Sequence, residues 1–180
     1  MVNNSALIKD FVNTLHKDPH GDEEGLAAPE QLDAWLKAHG LPTGSRVTAA
    51  DLASAIELRE ALRVLLLANN GEDVDVASAY AALDRAARGG RVELCFDDDG
   101  PALVPAARGV AGALGQIVVA VQAAIADESW HRLKACRARD CEWAFIDNAK
   151  NQSRAWCSMR SCGNREKARA HRARHRAAGA

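Results

Sequence analysis

The sequence has few aromatic residues, almost no net charge and no apolar run as long as a typical membrane span. Only 4% of its 180 residues are aromatic, and the formal net charge at pH 7 is −1. The most apolar stretch, residues 110–126, contains two glutamines and is shorter than the ~20 apolar residues of a transmembrane helix. The first residues lack the basic stretch and apolar run of a secretory signal peptide. We therefore expect a cytoplasmic protein without a membrane span.

The small net charge conceals an uneven distribution of charge along the chain. Residues 1–130 carry 10 Lys and Arg against 20 Asp and Glu, whereas residues 131–180 carry 13 against 4. An acidic body joined to a basic C-terminal segment indicates two separate tasks. The composition is 48% hydrophobic and rich in alanine, which favours packed helices over sheets.

Apolar residues recur at helical spacing through the first two thirds of the chain. They predict helices over residues 5–17, 30–39, 49–70, 75–88 and 109–126. Thr48 and Asp51 resemble a capping box at the start of the third of these helices. On that helix we expect Arg59 and Arg63 to lie on the outer, solvent-facing side. The last helix is apolar nearly all round, so we expect its neighbours to bury it.

A change of period after residue 90 predicts a small β-hairpin. Residues 91–96 alternate polar and apolar side chains, residues 97–100 form an acidic turn, and residues 101–105 provide the return strand. The predicted fold is therefore mainly α. It consists of a helical N-terminal domain with this hairpin, residues 1–128, and a C-terminal module of a short hairpin and a basic helix, residues 129–180.

Two polar features of the N-terminal domain are interpreted as structural. Asn13 follows the apolar positions of the first helix, and we expect it to tie down a neighbouring loop, because buried polar groups are usually hydrogen-bonded for structural reasons. The charged run at residues 22–25 lies in a loop between helices, and we expect it to be solvated.

Four of the five cysteines form two equally spaced pairs near the C-terminus. Four residues separate Cys136 from Cys141, and four separate Cys157 from Cys162. Zn²⁺ favours four sulfur ligands in a tetrahedron, which two tight turns with two thiolates each can supply. Two disulfides or four buried thiols are the alternatives, but disulfides need an oxidising compartment. We predict a four-cysteine site that binds one Zn²⁺ per chain.

The residues around these cysteines predict how the turns are built. Residues 143–146 are expected to form a short strand of a hairpin between the two pairs, and residues 147–148 to begin its turn. Gly163 is expected to have a positive φ and Asn164 to cap the final helix. Nearby aromatic residues are interpreted as apolar cover for the thiolates, and stacking on nucleic-acid bases is the alternative. They are Trp143, Phe145 and Trp156.

Other candidate ligands and nucleophiles are weaker. The second cysteine pair with His171 and His175 mimics a zinc site of two cysteines and two histidines, but this choice would leave the first pair without a metal. Cys95 has no histidine close in sequence to activate it, so we expect a free thiol. The acidic run at residues 97–99 lacks the ligand pattern of a calcium loop.

The end of the chain predicts a basic helix over residues 165–176. Four arginines recur along one line of this helix, and further basic residues lie on the other side. It has no large apolar face, so it suits phosphate binding better than packing in a core or on a membrane. A disordered solubilising tail is the alternative. The predicted nucleic-acid contacts are Arg154, Arg160, Arg165, Lys167, Arg169, Arg172, Arg174 and Arg176.

Residues 157–165, CSMRSCGNR, together with the first cysteine pair, resemble the CGNR zinc finger family. The family takes its name from the tetrapeptide found here at residues 162–165, and the resemblance extends over residues 134–176. It implies a bacterial transcription regulator in which the finger follows a helical domain called ABATE. Residues 10–14, DFVNT, are similar to a string near the start of that domain. The resemblance links the ABATE domain to stress-induced regulation.

Together these features predict a cytoplasmic, zinc-dependent transcription regulator that binds DNA through its C-terminal module. A module that binds RNA or the ribosome is the alternative, because a basic surface alone does not select DNA. We expect no enzymatic activity, since four thiolates close the metal site and the sequence lacks a recognisable catalytic motif. The N-terminal domain is expected to sense a small-molecule effector or to associate as a homodimer.

Overall fold

The computed structural model describes residues 4–41, 43–98 and 100–178, which form six α-helices and three two-stranded antiparallel sheets. The helices are α1 (Asn4–Val12), α2 (Pro29–Ala38), α3 (Ala49–Asn69), α4 (Val76–Gly89), α5 (Gly109–Ala126) and α6 (Asn164–Ala178). The strand pairs are β1 (Leu15–His16) with β2 (Glu23–Glu24), β3 (Val92–Asp97) with β4 (Gly100–Pro105), and β5 (Leu133–Ala135) with β6 (Ala144–Ile146). The prediction of a mainly α fold is confirmed.

Local capping signals define the start of α3. The Thr48 hydroxyl accepts a hydrogen bond from the Asp51 amide at 3.2 Å, and the Asp51 carboxylate accepts one from the Thr48 amide at 2.9 Å. This reciprocal pair is a capping box, so the prediction at this position is confirmed.

The first helix is shorter than predicted, because α1 ends at Val12 rather than at residue 17. The Thr14 hydroxyl donates to the Phe11 carbonyl at 2.8 Å, and Arg63 of α3 donates to the Val12 carbonyl at 2.8 Å. These bonds satisfy carbonyls at the end of the helix, and the chain then enters β1. The apolar spacing continues through Leu15, but tertiary hydrogen bonds end the helix earlier.

Arg59 and Arg63 are buried, which contradicts the prediction that they lie on the outer face of α3. Each side chain is only 2% exposed. Arg59 donates two hydrogen bonds to the Glu24 carboxylate, at 2.6 and 2.8 Å, and Glu60 accepts from both arginines. Burial opposes the charge of Glu24, but its hydrogen bonds with Arg59 and Leu26 lower the pKa of its carboxyl group. The charged run at residues 22–25 is therefore not simply solvated.

The apolar core is built around α3 and α5, with α1 and α2 packed against them. In the described part of the chain, α5 is the one helix long and apolar enough to cross a membrane, but half of it is buried inside the protein. The expectation of burial nearly all round is wrong at its C-terminal end, where Ile125 is 55% exposed. Its most deeply buried residues are Ile117, Ala120 and Ala124.

Two glycines allow the end of α4 to approach α5 closely. A Cβ atom on Gly90 would lie 2.7 Å from the Gly115 Cα and 3.0 Å from the Ala111 carbonyl oxygen. A Cβ atom on Gly115 would lie 3.0 Å from the Gly90 Cα and 3.2 Å from a side-chain atom of Pro105. Neither position has room for a larger residue unless the backbone moves.

The predicted hairpin after α4 is confirmed. Val92 pairs with Pro105 and Asp97 pairs with Gly100, so the two strands are in register along their whole length. Asp99 itself lies outside the described residues. Cys95 is an exposed free thiol on β3, as predicted.

Candidate metal centre and nucleic-acid interface

The four cysteines of the two pairs meet at one point. The sulfur atoms of Cys136, Cys141, Cys157 and Cys162 all lie within 4.8 Å of one another. The Cys141 and Cys157 sulfurs are 3.6 Å apart, and the Cys157 and Cys162 sulfurs are 3.7 Å apart. A tetrahedron with zinc–sulfur distances of about 2.3 Å has sulfur–sulfur edges of about 3.8 Å. The donor set and its spacing therefore fit one Zn²⁺.

The ionisation of the thiols agrees with a cation site. Hydrogen bonds from Cys141 and Cys157 lower the pKa of Cys136 to about 2, whereas the hydrogen bond with Cys136 raises the pKa of Cys141 to about 12. The same neighbours raise the pKa of Cys157. Zn²⁺ supplies the positive charge that four adjacent thiolates need, and it is bound with release of protons.

The first knuckle, residues 136–141, is the connection between β5 and β6. The Cys136 amide donates to the Trp143 carbonyl at 3.0 Å, and the Cys141 amide donates to the Ala138 carbonyl at 2.9 Å. This arrangement corrects the predicted hairpin. The strand at residues 144–146 pairs with β5, before the first cysteine, rather than with residues between the two cysteine pairs.

The second knuckle, residues 157–162, continues directly into α6. Residues Met159–Gly163 form a π-helical turn, and the Ser158 hydroxyl accepts a hydrogen bond from the Ser161 amide at 3.3 Å. Ser158 is therefore the cap, and the prediction that Asn164 caps the helix is wrong because Asn164 already has helical backbone angles. Gly163 does not have the predicted positive φ. Its lack of a side chain instead leaves room for Met159, whose sulfur would lie 2.6 Å from a Cβ atom.

A buried ion pair organises the segment between the knuckles. Asp147 is fully buried and accepts hydrogen bonds from the Lys134 ammonium at 2.7 Å and from the backbone amides of Ala149 and Arg154 at 3.0 Å. Burial opposes the charge, but these bonds lower the pKa of Asp147. The sequence pattern did not indicate a role for Lys134, and it placed Asp147 only in a turn. The signal was a lysine within β5, whose neighbours Leu133 and Ala135 are buried.

The aromatic residues of the module pack mainly against the metal site. Phe145 is buried, and Trp143 and Trp156 are half-buried against the cluster that contains the cysteines. The His16 ring of the helical body meets the Trp143 ring edge-on, with centroids 5.0 Å apart. The interpretation as apolar cover is confirmed for Phe145, whose ring is too buried to stack on a base.

Hydrogen bonds join the zinc module to the helical body along one seam. The Asn13 amide group pairs with both the N–H and the C=O of Ala144, at 2.7 and 3.0 Å. Arg63 donates to the Glu142 carbonyl at 3.0 Å, and Asn70 donates to the Ala135 carbonyl at 2.7 Å. Asn13 is thus a structural hydrogen bonder, as predicted, but it binds a strand 131 positions away in sequence rather than a neighbouring loop.

A family model described as "Putative stress-induced transcription regulator", the ABATE family, matches residues 5–131, which is more than half of the chain. The chain belongs to the ABATE family. A second model, that of the CGNR zinc finger, matches residues 132–175 and includes all four clustered cysteines. The resemblance found in the sequence is therefore confirmed for both regions. No curated protein matches the chain.

Two arginines of the CGNR finger brace α6 against the first knuckle. Arg165 and Arg169 donate to the two carboxylate oxygens of Asp140, at 2.8 and 3.1 Å. Arg165 also donates to the Cys162 sulfur at 3.6 Å, which brings a positive charge to the metal site. Burial opposes that charge, but Asp140 raises the pKa of Arg165. The first half of the predicted arginine line thus binds within the finger.

Arg154 also binds within the finger. Its Nε donates to the Trp156 carbonyl at 3.0 Å, its Nη2 donates to the Cys157 carbonyl, and its guanidinium carbon lies 4.9 Å from the centre of the Phe145 ring. The remaining predicted contacts are exposed, and their side chains have no hydrogen-bond or ion-pair partner among the described residues. They are Arg160, Lys167, Arg172, Arg174 and Arg176.

The histidines of α6 do not join the metal site. His171 and His175 are exposed and face each other, with their Nε2 atoms 3.2 Å apart. Among the described residues, the cluster that can hold a metal contains the four cysteines and no histidine. The alternative site of two cysteines and two histidines is therefore wrong.

Proposed function

We propose that this ABATE protein is a cytoplasmic, zinc-dependent transcription regulator that binds DNA through α6. The observation that carries the proposal is the set of exposed, unpartnered basic side chains on α6 and its preceding turn, within the described part of the chain. Such a set, without an apolar face, matches the surface that binds a phosphate backbone. The proposed contacts are Arg160, Lys167, Arg172, Arg174 and Arg176.

The zinc site gives this helix a defined direction. Cys162 lies in the π-helical turn from which α6 continues, and Arg165 and Arg169 fix the first turns of α6 to Asp140 beside Cys141. The exposed arginines therefore lie on a helix whose first turns are attached to the finger, rather than on a free tail. Loss of zinc would remove the constraint on Cys162, so DNA binding should depend on the metal.

The charge of the rest of the molecule supports the same orientation. The first 130 residues carry an excess of acidic side chains, which would repel phosphate from the ABATE domain. The four thiolates leave no ligand position on zinc for water or substrate, so we propose a binding protein rather than an enzyme.

The test compares exposed arginines of α6 with an exposed arginine of the ABATE domain. Arg172→Ala/Arg176→Ala should weaken binding to duplex DNA and lower the slope of log affinity against log salt by about two units, at ~0.9 per lost phosphate contact. Arg46→Ala is the matched control, since Arg46 is an exposed arginine of the ABATE domain without a partner among the described residues. Zinc content should be unchanged in both proteins. An unchanged slope in the double variant would contradict the assignment of α6.

Competition between nucleic acids tests the choice of DNA. Duplex DNA should displace a labelled duplex at a lower concentration than structured RNA of the same length does. The reverse order would assign the same basic surface to an RNA- or ribosome-associated function.

A further inference from the structure

A cleft of about 620 Å³ lies between the ABATE domain and the zinc finger. Trp35 and His39 of α2 line it from the ABATE side, whereas Trp143, Phe145 and Arg154 line it from the finger side. Small-molecule sites in proteins typically have volumes of about 300–1,000 Å³ and occur preferentially where domains meet. This cleft is open to solvent, and its volume and its position between the two domains agree with those of small-molecule sites.

The walls of the cleft suit a flat, apolar ligand. The Trp35 and His39 rings are stacked, with centroids 3.9 Å apart and planes inclined by 20°. His39 is held there by its Nδ1 atom, which lies 2.8 Å from the Trp35 carbonyl oxygen. Trp143 lines the cleft from the finger and is half-buried, and its ring meets the His16 ring edge-on. Aromatic side chains of this kind bind planar rings by stacking and edge contacts.

The charge of the cleft suits an anion. Two hydrogen bonds to finger carbonyls and the Phe145 ring fix the Arg154 guanidinium in place, while its Nη1 atom binds no other described residue. Lys9 is a second cation at the edge, and Asp10 pairs with it at 3.2 Å. Arg154 is thus a pre-positioned cation without an acidic partner among the described residues. A planar carboxylate matches the geometry of a guanidinium better than a monatomic anion does.

We propose that this cleft binds a planar aromatic carboxylate, with the ring between the α2 aromatics and Trp143 and the carboxylate on Arg154. The site assigns Arg154 to a small ligand rather than to nucleic acid. It also joins the ligand to the metal centre, because the same guanidinium binds the carbonyl of the zinc ligand Cys157. Binding in the cleft needs no nucleic acid, so this proposal stands independently of DNA binding.

The first test uses the zinc-loaded full chain and three probes, measured by calorimetry without DNA. 2-Naphthoate should bind saturably with one site per chain. 2-Naphthamide keeps the rings and lacks the charge, and it should bind at least about tenfold more weakly than 2-naphthoate. Cyclohexanecarboxylate keeps the charge and lacks the aromatic ring, and its binding should be weaker by a similar factor. Equal affinities of 2-naphthoate and 2-naphthamide, or no saturable binding of 2-naphthoate, would overturn the proposal.

Variants on the two walls locate the site. Trp35→Leu should weaken 2-naphthoate binding about tenfold, and Arg154→Gln should remove the preference for the acid over the amide. Trp130→Leu is the control, because Trp130 is a half-buried tryptophan that does not line the cleft. An equal loss in the Trp130→Leu and Trp35→Leu proteins would place the binding elsewhere. Tighter binding of a nucleoside monophosphate than of 2-naphthoate would assign the cleft to nucleic acid instead.

Discussion

Asn13 acts as the strand neighbour that β6 lacks on its outer edge. Its side-chain amide accepts from the Ala144 N–H and donates to the Ala144 carbonyl, so both backbone groups are satisfied by one residue. Asn70 also binds the backbone of the module, since its side-chain amide donates to the Ala135 and Ala155 carbonyls. At the residue scale, side-chain amides and Arg63 therefore attach the finger to the body.

Each ligand cysteine should be required for zinc, whereas the exposed cysteine should not. Cys157→Ser should lose the metal, because a hydroxyl is a poor replacement for a thiolate ligand of Zn²⁺. Cys95→Ser and His175→Ala are the controls and should retain about one zinc per chain by elemental analysis. Zinc retained by the double variant Cys136→Ser/Cys141→Ser would contradict the four-thiolate site.

The Glu24–Arg59 pair should contribute a stability that depends on pH. Glu24→Gln leaves the buried Arg59 guanidinium with Glu60 as its remaining acidic partner, which should lower the free energy of unfolding at pH 7 by about 1–3 kcal/mol. The pKa of Glu24 lies below its usual 4.5 in the folded protein. The contribution is therefore complete above about pH 4.5 and is lost as pH falls through the lower, folded-state value.

Denaturant unfolding of both proteins across this pH range measures that contribution. The difference in unfolding free energy between wild type and Glu24→Gln should be constant from about pH 5 to pH 8 and should shrink below about pH 4. Protonation of the zinc ligands at acid pH affects both proteins and cancels in the difference. A difference that does not change with pH would show that the carboxylate charge of Glu24 is not the stabilising feature.

At the scale of elements, most of the helices could be predicted from signals among residues that are close in sequence. The capping box at Thr48, the helical spacing in α2 to α5 and the alternation in β3 each predict an element from a few neighbouring residues. The regular spacing of the cysteines likewise predicts the metal site. These features depend on short-range backbone chemistry and on ligand geometry, which a single sequence displays.

The elements that were missed depend on partners far away in sequence. The neighbouring sequence offers Glu60 as a partner for Arg59 and Arg63, but it does not show that they are buried. Their burial depends on the Glu24 carboxylate and the Glu142 carbonyl, which lie on other segments of the chain. The strand β5 is only three residues long, and it is specified by pairing with β6 across the first knuckle. The roles of Arg165 and Arg169 depend in the same way on Asp140, which lies in the first knuckle, far before α6 in sequence.

The crossing of α4 and α5 should be sensitive to one added methyl group. Gly90→Ala should destabilise the protein by about 1–3 kcal/mol, because a Cβ atom there would meet the backbone of α5. Gly89→Ala is a matched control one position away, where a Cβ atom meets nothing within 4 Å. Its effect should be neutral or slightly stabilising. Equal destabilisation by both substitutions, measured by denaturant unfolding, would show that the close crossing is not the cause.

At the scale of the whole molecule, the finger and the ABATE domain share an apolar core. Leu133 and Ala135 of β5 and Ala144 of β6 belong to the same buried cluster as the core residues of α1, α3 and α5. The cysteines belong to a second, separate cluster with Phe145. The zinc site therefore stabilises a layer whose other face packs on the helical body.

Chelation of zinc should consequently affect both parts of the molecule to different degrees. The finger should unfold, and most of the helical circular dichroism signal should remain at about 25 °C. The melting temperature of the remaining helices should fall by about 4 °C or more, because about 1–2 kcal/mol of shared packing is lost. An unchanged melting temperature of the helices would show that the two parts are energetically independent. Loss of all helical signal on chelation would show that they form a single cooperative unit.

The central claim is that zinc-held α6 binds DNA, and selection of bound sequences from a random duplex pool tests it most directly. The full chain is incubated with the pool in the presence of zinc and, separately, after chelation. From the proposed function we predict strong recovery of duplex DNA with zinc and recovery near background without it. Arg172→Ala/Arg176→Ala should reduce the recovery with zinc, whereas Arg46→Ala should not. Equal recovery with and without zinc, or no recovery in either condition, would contradict the claim.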